Sequence, residues 1–172
     1  MGARTLLVLL GVAGLVAYSI LGALLMNDWA VAAASELPLE QAVAAMNAAG
    51  QPYGVWAGIG FAAFGILLAL GWGVLALFAR EQQPGWAVLL LFGSILAAGA
   101  PAYFFASFGN LNSVGDTFVG WDADAAFALE LPLYAASAIG AGAVLVAVVL
   151  GLVGEAPRGR RGASAPGPAH CE

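Results

Sequence analysis

The chain has no lysine, one histidine, one cysteine and only 9% charged residues over 172 positions, and each scarcity removes a class of chemistry. His170 and Cys171 are neighbours in a Gly-, Pro- and Ala-rich stretch that offers no third group to orient them, so nucleophilic catalysis through either has no framework. One cysteine makes no internal disulfide or redox pair, and the lone histidine at position 170 leaves the apolar runs without a haem ligand. A net charge of −5 without lysine gives no basic surface for nucleic acid. No glycine-rich phosphate-binding pattern follows a strand. The residues thus call for no cofactor, and they supply no metal-ligand set of recognisable spacing.

Apolar sequence fills the space that charge leaves. With 62% hydrophobic residues, water is the wrong solvent for most of this surface. Four runs, Thr5 to Met26, Val55 to Ala79, Trp86 to Ser107 and Leu131 to Val153, contain no charged side chain. Each is close to the 20 or so residues that cross about 30 Å of hydrocarbon as a helix. Membrane β-strands would be alternating segments of about ten residues, a period these uninterrupted runs lack. The expected fold is all-α: a four-span transmembrane helical bundle over residues 1–154, followed by a disordered tail, 155–172, too poor in apolar residues to offset the entropy of ordering.

Charge then orients the spans. Arg4, Arg80, Arg158, Arg160 and Arg161 all fall on one side of a four-span path, which by the positive-inside rule places both termini in the cytoplasm of a cell inner (plasma) membrane. Asp28, Glu36, Glu40, Asp116, Asp122, Asp124 and Glu130 fall in the two outward connections. Abundant Ala and Gly with no lysine suggest a bacterial source by composition. Arg4, the first apolar run and the Ala32-x-Ala34 spacing also resemble a secretory signal, although that run exceeds the 7 to 15 or so residues of a signal core.

The connections carry their own patterns. Leu39, Val43 and Met46 recur at helical spacing with Glu40 and Asn47 on the other flank, predicting a short amphipathic helix from Pro38 to Ala48 with Gly50 near its stop. It either lies in the interface or caps the bundle, and its acidic side favours capping because it has no attraction to anionic lipid. Gly109-Asn-Leu-Asn-Ser-Val-Gly115 reads as turns. Glu130, followed by Leu131-Pro132, reads as the start of the fourth span, where a helix dipole favours negative charge. Trp29, Tyr53, Trp56, Tyr103, Trp121 and Tyr134 read as an outer aromatic belt.

Lipid tails are as apolar as leucine, so helices in a bilayer associate by close packing of small residues. Gly58, Gly65 and Gly73 on the second span, Gly93 on the third and Gly140 on the fourth have that spacing, and the concentration on the second span predicts it as the central helix. The mid-span sequence has no ionisable group of the kind pumps and membrane enzymes retain. These features favour a non-catalytic membrane subunit or structural partner, embedded in the lipid bilayer and assembling as a homo-oligomer or with other membrane subunits. The alternative is a small transporter or channel for a neutral solute or ion, with Tyr103, Ser107, Asn110, Asn112 and Glu130 at an acidic outer vestibule. An enzyme would need the outer acids Asp116, Asp122, Asp124 and Glu130 to converge. Four spans with a longer first outer connection resemble the layout of claudin-like tetraspan proteins, but Trp56 has no outer cysteine pair beside it, so the resemblance covers layout alone.

Overall fold

The computed structural model describes residues 2–78 and 83–155, and among them every regular element is helical. Helix α1 (Ala3–Leu24) passes through a π-helical turn (Leu25–Trp29) into α2 (Ala30–Ser35), a continuous rod of 33 residues. Then come α3 (Leu39–Ala48), α4 (Trp56–Phe78), α5 (Gly85–Thr117) and α6 (Ala123–Glu155). Four helical stretches are long and apolar enough to cross a membrane, and the protein is a multi-pass membrane protein built as a four-helix bundle. The tail from 156 onward, Arg80 and the cluster of Arg158, Arg160 and Arg161 lie outside the described residues.

Three of the long stretches run to 32 or 33 residues, which at 1.5 Å per residue is about 50 Å and exceeds the hydrocarbon thickness. Their extra turns sit at one end of the bundle, where α3 packs among them. Ala42 and Met46 of α3 are fully buried against Ala30, Val31, Ala34, Val114 and Ala126, with Leu39 and Phe118 alongside, so α3 caps the bundle. Two backbone bonds close α3, from Gly50 N to Asn47 O and from Gln51 N to Met46 O, around the positive φ of 75° at Gly50. That conformation at a helix end favours glycine. Glu36, at φ 56°, makes the corresponding reversal after α2.

Within the membrane the helices form two antiparallel pairs. Helix α4 packs chiefly on α1, and α5 chiefly on α6. The central helix is α5, which touches every other element, whereas α4 packs mainly on α1 and α5. The expectation that the second span sits at the centre is therefore overturned: Gly60 and Gly71 face open space, and glycine spacing alone does not say which of several small-residue faces finds a partner.

Two further expectations fail for one shared reason. Gly109 to Gly115 is not a turn region but the last part of α5, and Glu130 does not start a helix but lies two turns inside α6, with Pro132 in the helix interior. The local preference of these residues for turns is overridden by packing. Asn110, Ser113 and Val114 are buried against other elements, and that burial holds the chain helical through Thr117. The actual start of α6 is set by Asp122, whose Oδ1 accepts from Ala125 N at 2.8 Å as an N-cap.

Candidate functional site

Of the residues read as an outer vestibule, Glu130 stands on α6 and the others divide between two faces of α5. One face looks inward. Asn110 donates through Nδ2 to Met26 O and to Gly54 O, both at 3.0 Å, and accepts from Gly54 N on Oδ1 at 3.1 Å. Met26 lies in the π-helical turn, where the wider ladder leaves carbonyls available to outside donors. The same corner is tied by Ser113 Oγ to Pro52 O at 2.7 Å, Asn27 Nδ2 to Val55 O at 3.1 Å, and the Tyr53 hydroxyl to Asn27 O. Burial, and then the negative charge of Asp28, push the Tyr53 phenol above its ordinary pKa, so it remains a donor through neutral pH. Asn110 is thus a structural clasp joining the third span to the first and to the connection before the second.

The other face looks onto a cleft of about 560 Å³ between the ends of α5 and α6. Ser107, Asn112 and Glu130 line it, together with Phe104, Phe108, Trp121, Phe127 and Tyr134. The α5 contributors follow helical spacing, 104, 107, 108, 111, 112 and 115, one stripe on a rigid element. Gly115 leaves room for the Trp121 indole, which a Cβ there would approach at 3.2 Å. Ser107 gives its hydroxyl back to Phe104 O at 3.2 Å.

Glu130 is the notable member. It is only 5% exposed, and Tyr103, fully buried behind it, donates to Oε1 at 2.8 Å. The Tyr134 hydroxyl lies farther off, 3.5 Å from Oε2. The Tyr103 ring is held edge-on to both Phe61 and Tyr134, with centroids 6.0 and 6.1 Å apart, so it is a core residue and not a member of an interface belt. No described cation faces the carboxylate, and Arg4 is at the opposite end of the bundle, donating to Ala76 O near the end of α4.

Of the outer acids, Glu130 is the one that lines the cleft. Asp122 is engaged in capping, and among the described residues no three of His, Cys, Asp and Glu are arranged to hold a metal ion. Deeper in the bundle, Tyr18 and Ser137 share a hydrogen bond of 3.0 Å between α1 and α6, while Ser19 and Ser94 bond back to Leu15 O and Leu90 O, each at 2.8 Å.

The small-residue positions lie at both helix pairs. A Cβ at Gly58, Gly65 or Gly73 of α4 would collide with the side chain of Asn27, Ser19 or Val12 of the first rod. At Gly93 and Gly140 the obstruction is backbone: a Cβ at Gly93 would stand 2.8 Å from Gly140 O, and one at Gly140 would stand 2.9 Å from Gly93 O.

Sequence reasoning marked Ser107, Asn112 and Glu130 but missed Tyr134 and the phenylalanines as cleft partners. The signal available was the helical spacing of Phe104, Phe108 and Leu111, hidden because the segment beyond Phe108 reads as turns. Compared with known proteins, the chain matches no family model, no curated protein and no solved structure.

Proposed function

We propose that the protein is a non-catalytic integral membrane subunit that works by contact with another copy of itself or with other membrane proteins. The supporting observation is how the polar groups within the spans are used. Ser19 and Ser94 are spent on their own helices, while Tyr18 with Ser137, Asn110 and Ser113 bond across to other elements and so hold the bundle together. The distribution of arginines supports cytoplasmic termini in a cell inner membrane, with α3 and the aromatic cleft on the outer side.

Purification in mild detergent and in nanodiscs should give a stable homo-oligomer or hetero-complex by mass photometry. A monomer under every gentle condition would sink the subunit reading. Sidedness has its own check: with Cys171 replaced by serine, a cysteine at Ala44 should react with a membrane-impermeant maleimide added to intact cells, and one at Gly2 should not.

A second reading, passage of a solute, is favoured by one observation, the buried Glu130 at the wall of a cleft that also presents Ser107 and Asn112. Proteoliposome flux abolished by Glu130→Gln would support it.

A further inference from the structure

The aromatic cleft has a composition that a packing role for Glu130 does not explain. A side chain that removes a carboxylate from solvent is costly unless a counter-charge or full hydrogen bonding offsets it. Here each oxygen has one neutral donor, the Tyr103 hydroxyl at 2.8 Å on Oε1 and the Tyr134 hydroxyl at a long 3.5 Å on Oε2, and no described cation approaches to balance the charge. Around that carboxylate stand five aromatic residues contributed by both helices and their connection. Phe104 and Phe108 sit one turn apart on α5, with centroids 6.3 Å apart, while Phe127 and Tyr134 face each other on α6 at 5.8 Å, and Trp121 closes the end. Ring faces attract cations, and most strongly those whose charge is spread over alkyl groups and shed water readily.

From this geometry we infer that the α5–α6 cleft is a binding site for a substituted organic ammonium that carries an apolar group, its charge against Glu130 and its alkyl groups against the rings. The cleft's volume of about 560 Å³ suits a small organic molecule rather than a bare metal ion. A metal ion would also want several hard oxygens, and Glu130 is the one carboxylate lining the cleft. The flanking phenylalanines, each about half exposed, supply the apolar surface along which the ligand's hydrophobic part would lie.

Charge complementarity selects a free cation over a zwitterionic lipid headgroup. The end of the bundle that carries the cleft also carries Asp116, Asp122 and Asp124, and no described basic residue stands there to receive a phosphate. An ammonium tethered to a phosphate would bring a repelled group with it. The inference is independent of the subunit role, since binding is measured on the purified protein whatever it assembles with.

The test uses the full chain in nanodiscs and three probes: benzyltrimethylammonium, its uncharged carbon analogue neopentylbenzene, and phosphocholine. Calorimetric titration should show one saturable site for the ammonium, little affinity for the neutral analogue and no displacement by phosphocholine. Glu130→Gln, which keeps an acceptor for Tyr103, should weaken the ammonium by about thirtyfold or more. Phe108→Leu and Phe127→Leu alter rings that are more than half exposed, and each should weaken it by about three- to tenfold while leaving the melting temperature unchanged.

Equal affinity for the charged and neutral probes would overturn the inference, as would unchanged ammonium affinity in a folded Glu130→Gln protein. If Glu130→Gln does not fold, the two phenylalanine variants decide: undiminished binding in both overturns it. Displacement by phosphocholine would reassign the site to a lipid headgroup and overturn the selection of a free cation.

Discussion

The two helix pairs use glycine in different ways. Between the first rod and α4, a glycine on one helix is a notch that receives a side chain from the other: Ser19 at Gly65, Val12 at Gly73, Asn27 of the π-helical turn at Gly58, and in the reverse direction Phe61 at Gly22 and Trp72 at Gly11. Between α5 and α6, Gly93 and Gly140 bring backbone to backbone, a Cβ on either one meeting the carbonyl oxygen of the other within 3 Å. Close helix approaches of this kind are where Cα–H···O contacts recur. A notch is filled by a rotatable group that can yield, whereas a backbone contact has no soft partner. The second pair should therefore be the more rigid and the less tolerant of substitution.

The largest effect should come from breaking that backbone contact. Gly140→Leu places a branched side chain against the main chain of α5 and should cost about 3 kcal/mol, the upper end of overpacking penalties. Thermal unfolding in detergent should show it, together with loss of ammonium binding because the α5–α6 cleft lies on the same pair.

Next comes the clasp between the pairs. Asn110→Ala strips partners from Met26 O and from both backbone groups of Gly54, and should cost about 2 to 3 kcal/mol by leaving buried polar groups unpaired. Amide exchange should rise around residues 52–55 and in the π-helical turn. Protection unchanged in both places would show that the pairs are joined by something other than this side chain.

Gly65→Leu should follow, at about 2 kcal/mol: the Ser19 hydroxyl can rotate away at the loss of its bond to Leu15 O, but Ser19 Cβ, 2.8 Å from the new Cβ, obliges the two helices to part slightly. Adding Ser19→Gly should recover a good part of that loss. If the single change at Gly65 costs as much as the one at Gly140, the distinction between notch and backbone contact fails.

The smallest effect belongs to Gly60→Leu, which meets open space and should shift stability by no more than about 0.5 kcal/mol in the isolated bundle. The same variant sharpens the subunit reading. A loss of oligomer with the monomer's melting temperature intact would place a partner on that face of α4.

How much of this was readable in advance differs by element. The four spans and the helix at 39–48 follow from run length and from spacing, because an uncharged run of that length has no stable home in water and a period of 3.6 has one geometric meaning. Glu130 shows where such reading stops. Its neighbours Leu131 and Pro132 look like a helix start, but α6 begins at Ala123 on the Asp122 cap, and the seating of Ala126 and Leu133 in separate buried clusters holds it helical past the carboxylate. Asn110 and Asn112 look alike in sequence, yet α5 turns one toward the π-helical turn and the other toward the cleft.

What the sequence by itself determined is therefore the existence of four helical runs long and apolar enough for hydrocarbon. Transfer free energy is a property of composition and needs no knowledge of neighbours. The pairing of helices, the extension of α5 through glycine and asparagine, and the enclosure of Glu130 by aromatic residues were decided only by the tertiary structure. Inside a bilayer apolar side chains gain little by meeting one another, so the choice among many small-residue faces rests on contact geometry, which exists only once the helices are in place.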